Sequence, residues 1–203
     1  IEAALRAAKT IAVLGIGNEM LGDDAAGVLL ARELKKKAAG RKTAKRIYVY
    51  ETGTTPENFT GAISPPRLRA ETRYGVQARR VAPDLVLLAD AADMGAPVGE
   101  IRALDVKDLR SMMHSTHTMP LSFLAGYIEK TTSAKVIALG IQAGHIRLDQ
   151  PMSRAVAAGV RQAARLIAGI LRGAKPEAKK IRPRGSAANA KGRRKLSRRG
   201  ISR

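Results

Sequence analysis

Cysteine is absent from all 203 residues. That excludes a disulfide framework, a thiolate zinc centre, an iron–sulfur cluster and a cysteine nucleophile together. Whatever chemistry the chain performs must run on oxygen and imidazole groups. Histidine is nearly as scarce: His114, His117 and His145 are the only imidazoles available as ligand or base. The six aromatic residues weigh against stacking on nucleic-acid bases. No apolar run approaches the roughly 18–20 residues that cross a bilayer. The opening IEAALRAAKT mixes charge with alanine and lacks the apolar core of an export signal. A cytoplasmic protein with no membrane partner is the expectation.

An apolar share of 45% is ample for one packed domain. The net charge of +20 resembles a nucleic-acid signature until it is apportioned. Residues 174–203 hold twelve Lys/Arg against the single acid Glu177, whereas the first 173 residues hold 25 against 16. More than half of the excess therefore sits in a short tail. That tail is rich in Lys, Arg, Ala, Gly and Ser, with almost nothing to bury, and reads as disordered. The expected organisation is a domain over 1–173 followed by this basic tail.

Within the domain, strand-like and helix-like segments alternate. Ile11–Ile16 is a continuous apolar run ending at glycine-rich sequence, and Lys45–Glu51, Asp84–Asp90 and Lys135–Gln142 also read as strands. Gly99–Leu104 alternates as an edge strand does. Helical spacing covers Asp24–Ala39, Leu121–Lys130 and Met152–Arg172, with a short helix over Pro56–Ile63 opened by Thr55 and Pro56. This order predicts a three-layer α/β fold around a mostly parallel sheet. Ser64–Arg80 interrupts it with a Pro-Pro and five arginines, and is expected to be an inserted loop.

The glycine-rich turn after the first strand, Gly15-Ile16-Gly17-Asn18-Glu19-Met20-Leu21-Gly22-Asp23-Asp24, is the first candidate for chemistry. A dinucleotide fingerprint would need a third glycine where Met20 stands, and two aspartates at the helix start would repel a pyrophosphate. Asp23 and Asp24 are therefore either helix caps or ligands. Asp90 is the second candidate, because a carboxyl after five apolar strand residues is costly to bury unless paired or metal-bound. In a parallel sheet, both Asp24 and Asp90 would fall on the rim at the carboxyl ends of the strands. His117 lies in the loop before Pro120 and could reach that rim, although a loop histidine is more often simply exposed. His114 and His145 keep that plainer reading. Two carboxylates and one imidazole suit a borderline divalent cation such as nickel or zinc, and three ligands leave room for substrate or water.

The order of motifs adds a family likeness. GIGNEMLGDDAAG, ETGTTPEN, LLADAADMGAPVGEIR, STHTMPLSFL and IALGIQ, in that sequence, resemble the hydrogenase maturation endopeptidases, nearest to the branch serving formate-hydrogenlyase-type hydrogenases. The resemblance spans about residues 10–172. It implies a twisted five-stranded sheet between helices in an α/β/α arrangement. The implied activity is removal of a C-terminal extension from a [NiFe] hydrogenase large-subunit precursor after nickel insertion. It also implies that Asp24, Asp90 and His117 are the catalytic, metal-meeting residues, and that Gly53 is the family's glycine. Nickel would arrive on the cysteine thiolates of the precursor, the protein partner, so this chain needs none of its own. Two other readings stand beside it: a metal-sensing module that cleaves nothing, and a nucleic-acid-associated protein acting through residues 174–203.

Overall fold

The computed structural model describes residues 1–39, 43–64, 82–106, 109 and 120–173. His114, His117, the expected inserted loop beyond Ser64 and the tail 174–203 lie outside the described residues.

Five strands, β1 (Thr10–Ile16), β2 (Arg46–Gly53), β3 (Leu85–Ala92), β4 (Ile101–Asp105) and β5 (Lys135–Gln142), form one sheet in the order β2-β1-β3-β5-β4. All pairings are parallel except β4 with β5. Every residue of β1 and β3 is buried, which is why both read as unbroken apolar runs. One face of the sheet carries α1 (Glu2–Ala7), α2 (Ala26–Ala38) and α4 (Arg154–Leu171), whose Leu5, Leu30 and Val160 join Val13, Leu87 and Leu139. The other carries α3 (Leu121–Thr131) and the segment ending at Ile63, packed on Leu14, Val86 and Leu88. Each such fully buried Leu or Val contributes about 1.5–3 kcal/mol. The expected three-layer, mostly parallel α/β fold is what the chain adopts.

Strands β1 to β4 shift by one or two residues at their ends, and the helical segments differ from the sequence reading for local reasons. Asp23–Ala25 wind as a 3-10 turn, so α2 starts at Ala26 instead of Asp24. The Pro56–Ile63 helix contracts to a 3-10 turn over Pro56–Phe59. Helix α4 begins at Arg154, after Ser153, whose hydroxyl is engaged elsewhere and does not cap it. Helix α1 was not anticipated, because six residues anchored by one buried leucine leave almost no periodic signal.

Close approach over the sheet depends on Gly27. A Cβ there would lie 2.1 Å from the Ala89 carbonyl oxygen and 2.4 Å from that of Ile16. Only glycine lets the first turn of α2 rest on the ends of β1 and β3 together.

At the opposite end of the sheet, Asp84 Oδ2 accepts the backbone N–H groups of Lys9 and Thr10, each at 2.8 Å. Those bonds, Thr10's first, hold the carboxyl below its ordinary value against the opposing effect of burial. Because the folded value is depressed, this tie stabilises the fold above the ordinary carboxylate pKa and is lost as pH falls through the folded one. Asp84→Asn should therefore be less stable than the parent at neutral pH, with the difference narrowing in acid. Acid unfolding followed by circular dichroism checks this, and parallel curves across the whole range would contradict it. No described helix is long and apolar enough to cross a membrane.

Candidate active site

The chain runs from β1 outward to β2, then returns to place β3 on the other side of β1. Such a reversal opens a crevice at the carboxyl ends of the two central strands, where open α/β sheets bind ligands. Asp24 follows β1 and Asp90 lies near the end of β3, so one carboxyl comes from each side of the reversal. Both are buried: Asp90 is 0% exposed and Asp24 1%. Asp90 sits in register with Gly140 of β5 and, at the same strand parity as Val86 and Leu88, shares their face toward the α3 layer. Helix α3, which lies on that side, starts directly after Pro120.

The turn from β1 to Asp24 is shaped by backbone contacts. Gly17 adopts φ +142°, and a Cβ on it would come 1.9 Å from the Asp24 carbonyl oxygen. Its N–H donates to the Gly53 carbonyl at 3.0 Å, joining this turn to the end of β2. Asn18 donates its backbone N–H to Asp24 Oδ2 at 2.7 Å, which fixes the direction of that carboxyl. Arg32 of α2 holds the same turn from outside, reaching both oxygens of Glu19 at 2.9 and 3.0 Å and Glu51 of β2 at 3.0 Å. These groups are partly exposed, so each pair contributes no more than about 1 kcal/mol.

Asp23 and Asp24 divide their labour, and neither caps a helix with its side chain. Asp23, 0% exposed, accepts the backbone N–H of Gly144 (2.8 Å), His145 (3.1 Å) and Ser153 (2.6 Å), and the Ser153 hydroxyl (2.7 Å). Burial pushes its carboxyl up, but the Ser153 hydroxyl and the three backbone donors together outweigh that and hold it below the usual range. Two isolated bridges, Leu21 with Gln150 and Gly22 with Ile146, reinforce the joint. The loops after β1 and after β5 are thus stitched together across the end of β3, which lies between those strands.

Gln142 performs a similar task beside Asp90. Its Oε1 accepts the N–H groups of Met94 (2.7 Å) and Ala96 (3.2 Å), while Nε2 donates to Asp93 (3.2 Å) and to the Ala143 carbonyl (3.0 Å). Sequence reasoning missed Gln142 and Ser153, and for Asp23 offered a cap or a ligand but not a tie between loops. A glutamine closing an apolar strand was the available signal for the first. His145 is not the exposed loop histidine expected: it is half-buried against Gly22, with Nδ1 buried and unpartnered. Among the described residues no three His, Asp or Glu side chains gather in a way that could hold a metal ion. The third expected member, His117, is not among them.

The family profile described as HycI, hydrogenase maturation protease, matches residues 28–170. The chain belongs to the hydrogenase maturation protease family. Membership makes it a maturation endopeptidase, a hydrolase. The Hydrogenase 3 maturation protease of Escherichia coli strain K12 is 35% identical over 148 residues, covering 72% of this chain and 81% of the relative. The [NiFe] hydrogenase maturation protease HycI from Thermococcus kodakarensis superposes with a TM-score of 0.68 at 32% identity, over 84% of this chain and 97% of its own. The solution structure of the endopeptidase HycI from Escherichia coli gives 0.59 at 32% identity, covering 79% and 90%. The matched span contains Gly53, Asp90 and His117, with Asp24 just ahead of it.

Proposed function

We propose that this hydrogenase maturation protease removes the C-terminal extension of a [NiFe] hydrogenase large-subunit precursor, and that Asp24, Asp90 and His117 meet nickel carried in by that substrate. The observation that carries the reading is the pair of buried carboxyls, Asp24 and Asp90, on the two sides of the chain reversal. Two carboxyls at one rim offer oxygen donors that a cation brought in by the substrate could meet. Oxygen donors with an imidazole suit a borderline cation such as nickel, and a chain without cysteine leaves thiolate ligation to the precursor. Substrate-borne nickel would supply Lewis acidity toward the scissile carbonyl or a water.

The chain's own groups then have separable duties. Asn18 aims the Asp24 carboxyl, Asp23 fixes the loop on which Asp24 sits, and the α3 layer covers the side on which Asp90 lies. Gly53, with φ +59° and nothing within 4 Å of where a Cβ would stand, leaves room for a peptide to approach the end of β2. Mixed with nickel-loaded precursor, the chain should shorten it at the C-terminus, as read by intact mass. A stable complex in which the precursor keeps its full mass would instead identify a non-cleaving metal-sensing module.

A further inference from the structure

Arg154, Arg161, Arg165 and Arg172 follow one another at spacings of seven, four and seven residues. At about 100° per residue these positions fall within about 40° of one another, forming a row roughly 27 Å long on the outside of α4 and on Arg172, the residue that closes its C-terminus. All four are exposed. From Gln150 to Pro176 the chain contains no acid at all, and α4 contains no lysine. Among the described residues none of the four makes an ion pair. The neighbouring helix α2 provides a contrast within the same layer: its Arg32, Lys35, Lys36 and Lys37 all pair with glutamates.

A solvated helix face ordinarily mixes both signs, since like charges four residues apart, as at Arg161 and Arg165, oppose helix formation. An unneutralised row made only of arginine has the planar, two-pronged donors that match carboxylates. Its position narrows the partner. The row starts at Arg154, next to Ser153, whose backbone and hydroxyl hold Asp23, so it leads directly away from the rim bearing Asp24. Leu166, 61% exposed beside Arg165, adds an apolar contact of the kind a protein surface offers. No aromatic residue on α4 is available to stack on a base.

We infer that this row docks an acidic face of the protein substrate whose C-terminus enters the Asp24–Asp90 rim. The inference rests on the function proposed above, and the experiment separates the two. Arg161→Glu with Arg165→Glu, in the full chain, should raise KM for nickel-loaded precursor about tenfold with kcat within about twofold. It should also flatten the dependence of kcat/KM on salt shown by the parent. Arg161→Gln with Arg165→Gln should give an intermediate shift, and covers the case in which charge reversal disturbs folding. In parallel, precursor affinity is titrated by calorimetry with Asp90→Asn as the background, with and without the reversal. Unchanged KM, salt dependence and affinity would overturn docking while leaving the peptidase intact. A parent that binds precursor without cutting it would overturn the peptidase, and reversal-weakened binding would still uphold the row. Loss of affinity for a duplex DNA probe, with precursor binding untouched, would assign the row to nucleic acid and overturn the proposal.

Discussion

Asp90→Asn and Asp24→Asn should each cut precursor processing by more than about a hundredfold, while the purified proteins unfold near the parent's temperature. Even residues that only support metal ligands cost ten- to a hundredfold when changed, so loss of a group meeting the metal should cost at least that. Asparagine keeps the volume of aspartate, so no cavity opens around position 90, which is fully buried among strand neighbours. At position 24 the amide oxygen can still accept the Asn18 N–H, so the turn keeps its shape. His117→Ala should behave in the same way. The check is the fraction of precursor shortened in a fixed time, alongside thermal unfolding. Full processing by all three single variants would overturn the assignment of the site.

Asp23→Ala should do the opposite of Asp24→Asn, lowering stability by about 3 kcal/mol. The alanine removes one carboxyl that serves three backbone N–H groups and a hydroxyl. Each buried donor left unpaired costs about 1–3 kcal/mol, and water entering the vacated space would recover part of the sum. For a domain of this size such a loss lowers Tm by about 6–12 °C. Ser153→Ala removes only the hydroxyl and should cost about 1 kcal/mol. Differential scanning fluorimetry separates the three variants. An Asp23→Ala protein as stable as the parent would mean that the two loops are held together by something other than this carboxyl.

Adjacent aspartates with such different duties explain where sequence reasoning succeeded and where it stopped. Strands β1, β3 and β5 were legible because covering a parallel sheet on both faces demands unbroken apolar runs, and Lys135–Gln142 was placed to the residue. Asp90 stood out against its run for the same reason. Nothing local distinguishes Asp23 from Asp24. The difference arises because Asp23 meets Gly144, His145 and Ser153, more than a hundred residues away, once β1 and β5 have come to flank β3. The 3-10 turn that shortened α2 belongs to that same joint. The antiparallel β4 was anticipated as an edge strand from its alternation, although its direction was not. Family membership was legible from the order of five motifs, whereas the spacing of Asp24, Asp90 and His117 alone would have supported a metal site only weakly. The row on α4 is simple to count once the helix is in place, but in the sequence it merges with the general basic excess.

The central claim is that this protease acts on nickel-loaded precursor. It is tested most directly by incubating the purified chain with nickel-loaded and nickel-free precursor and measuring intact masses. The expected result is loss of a C-terminal peptide from the nickel-loaded form alone; equal shortening of both forms would contradict it.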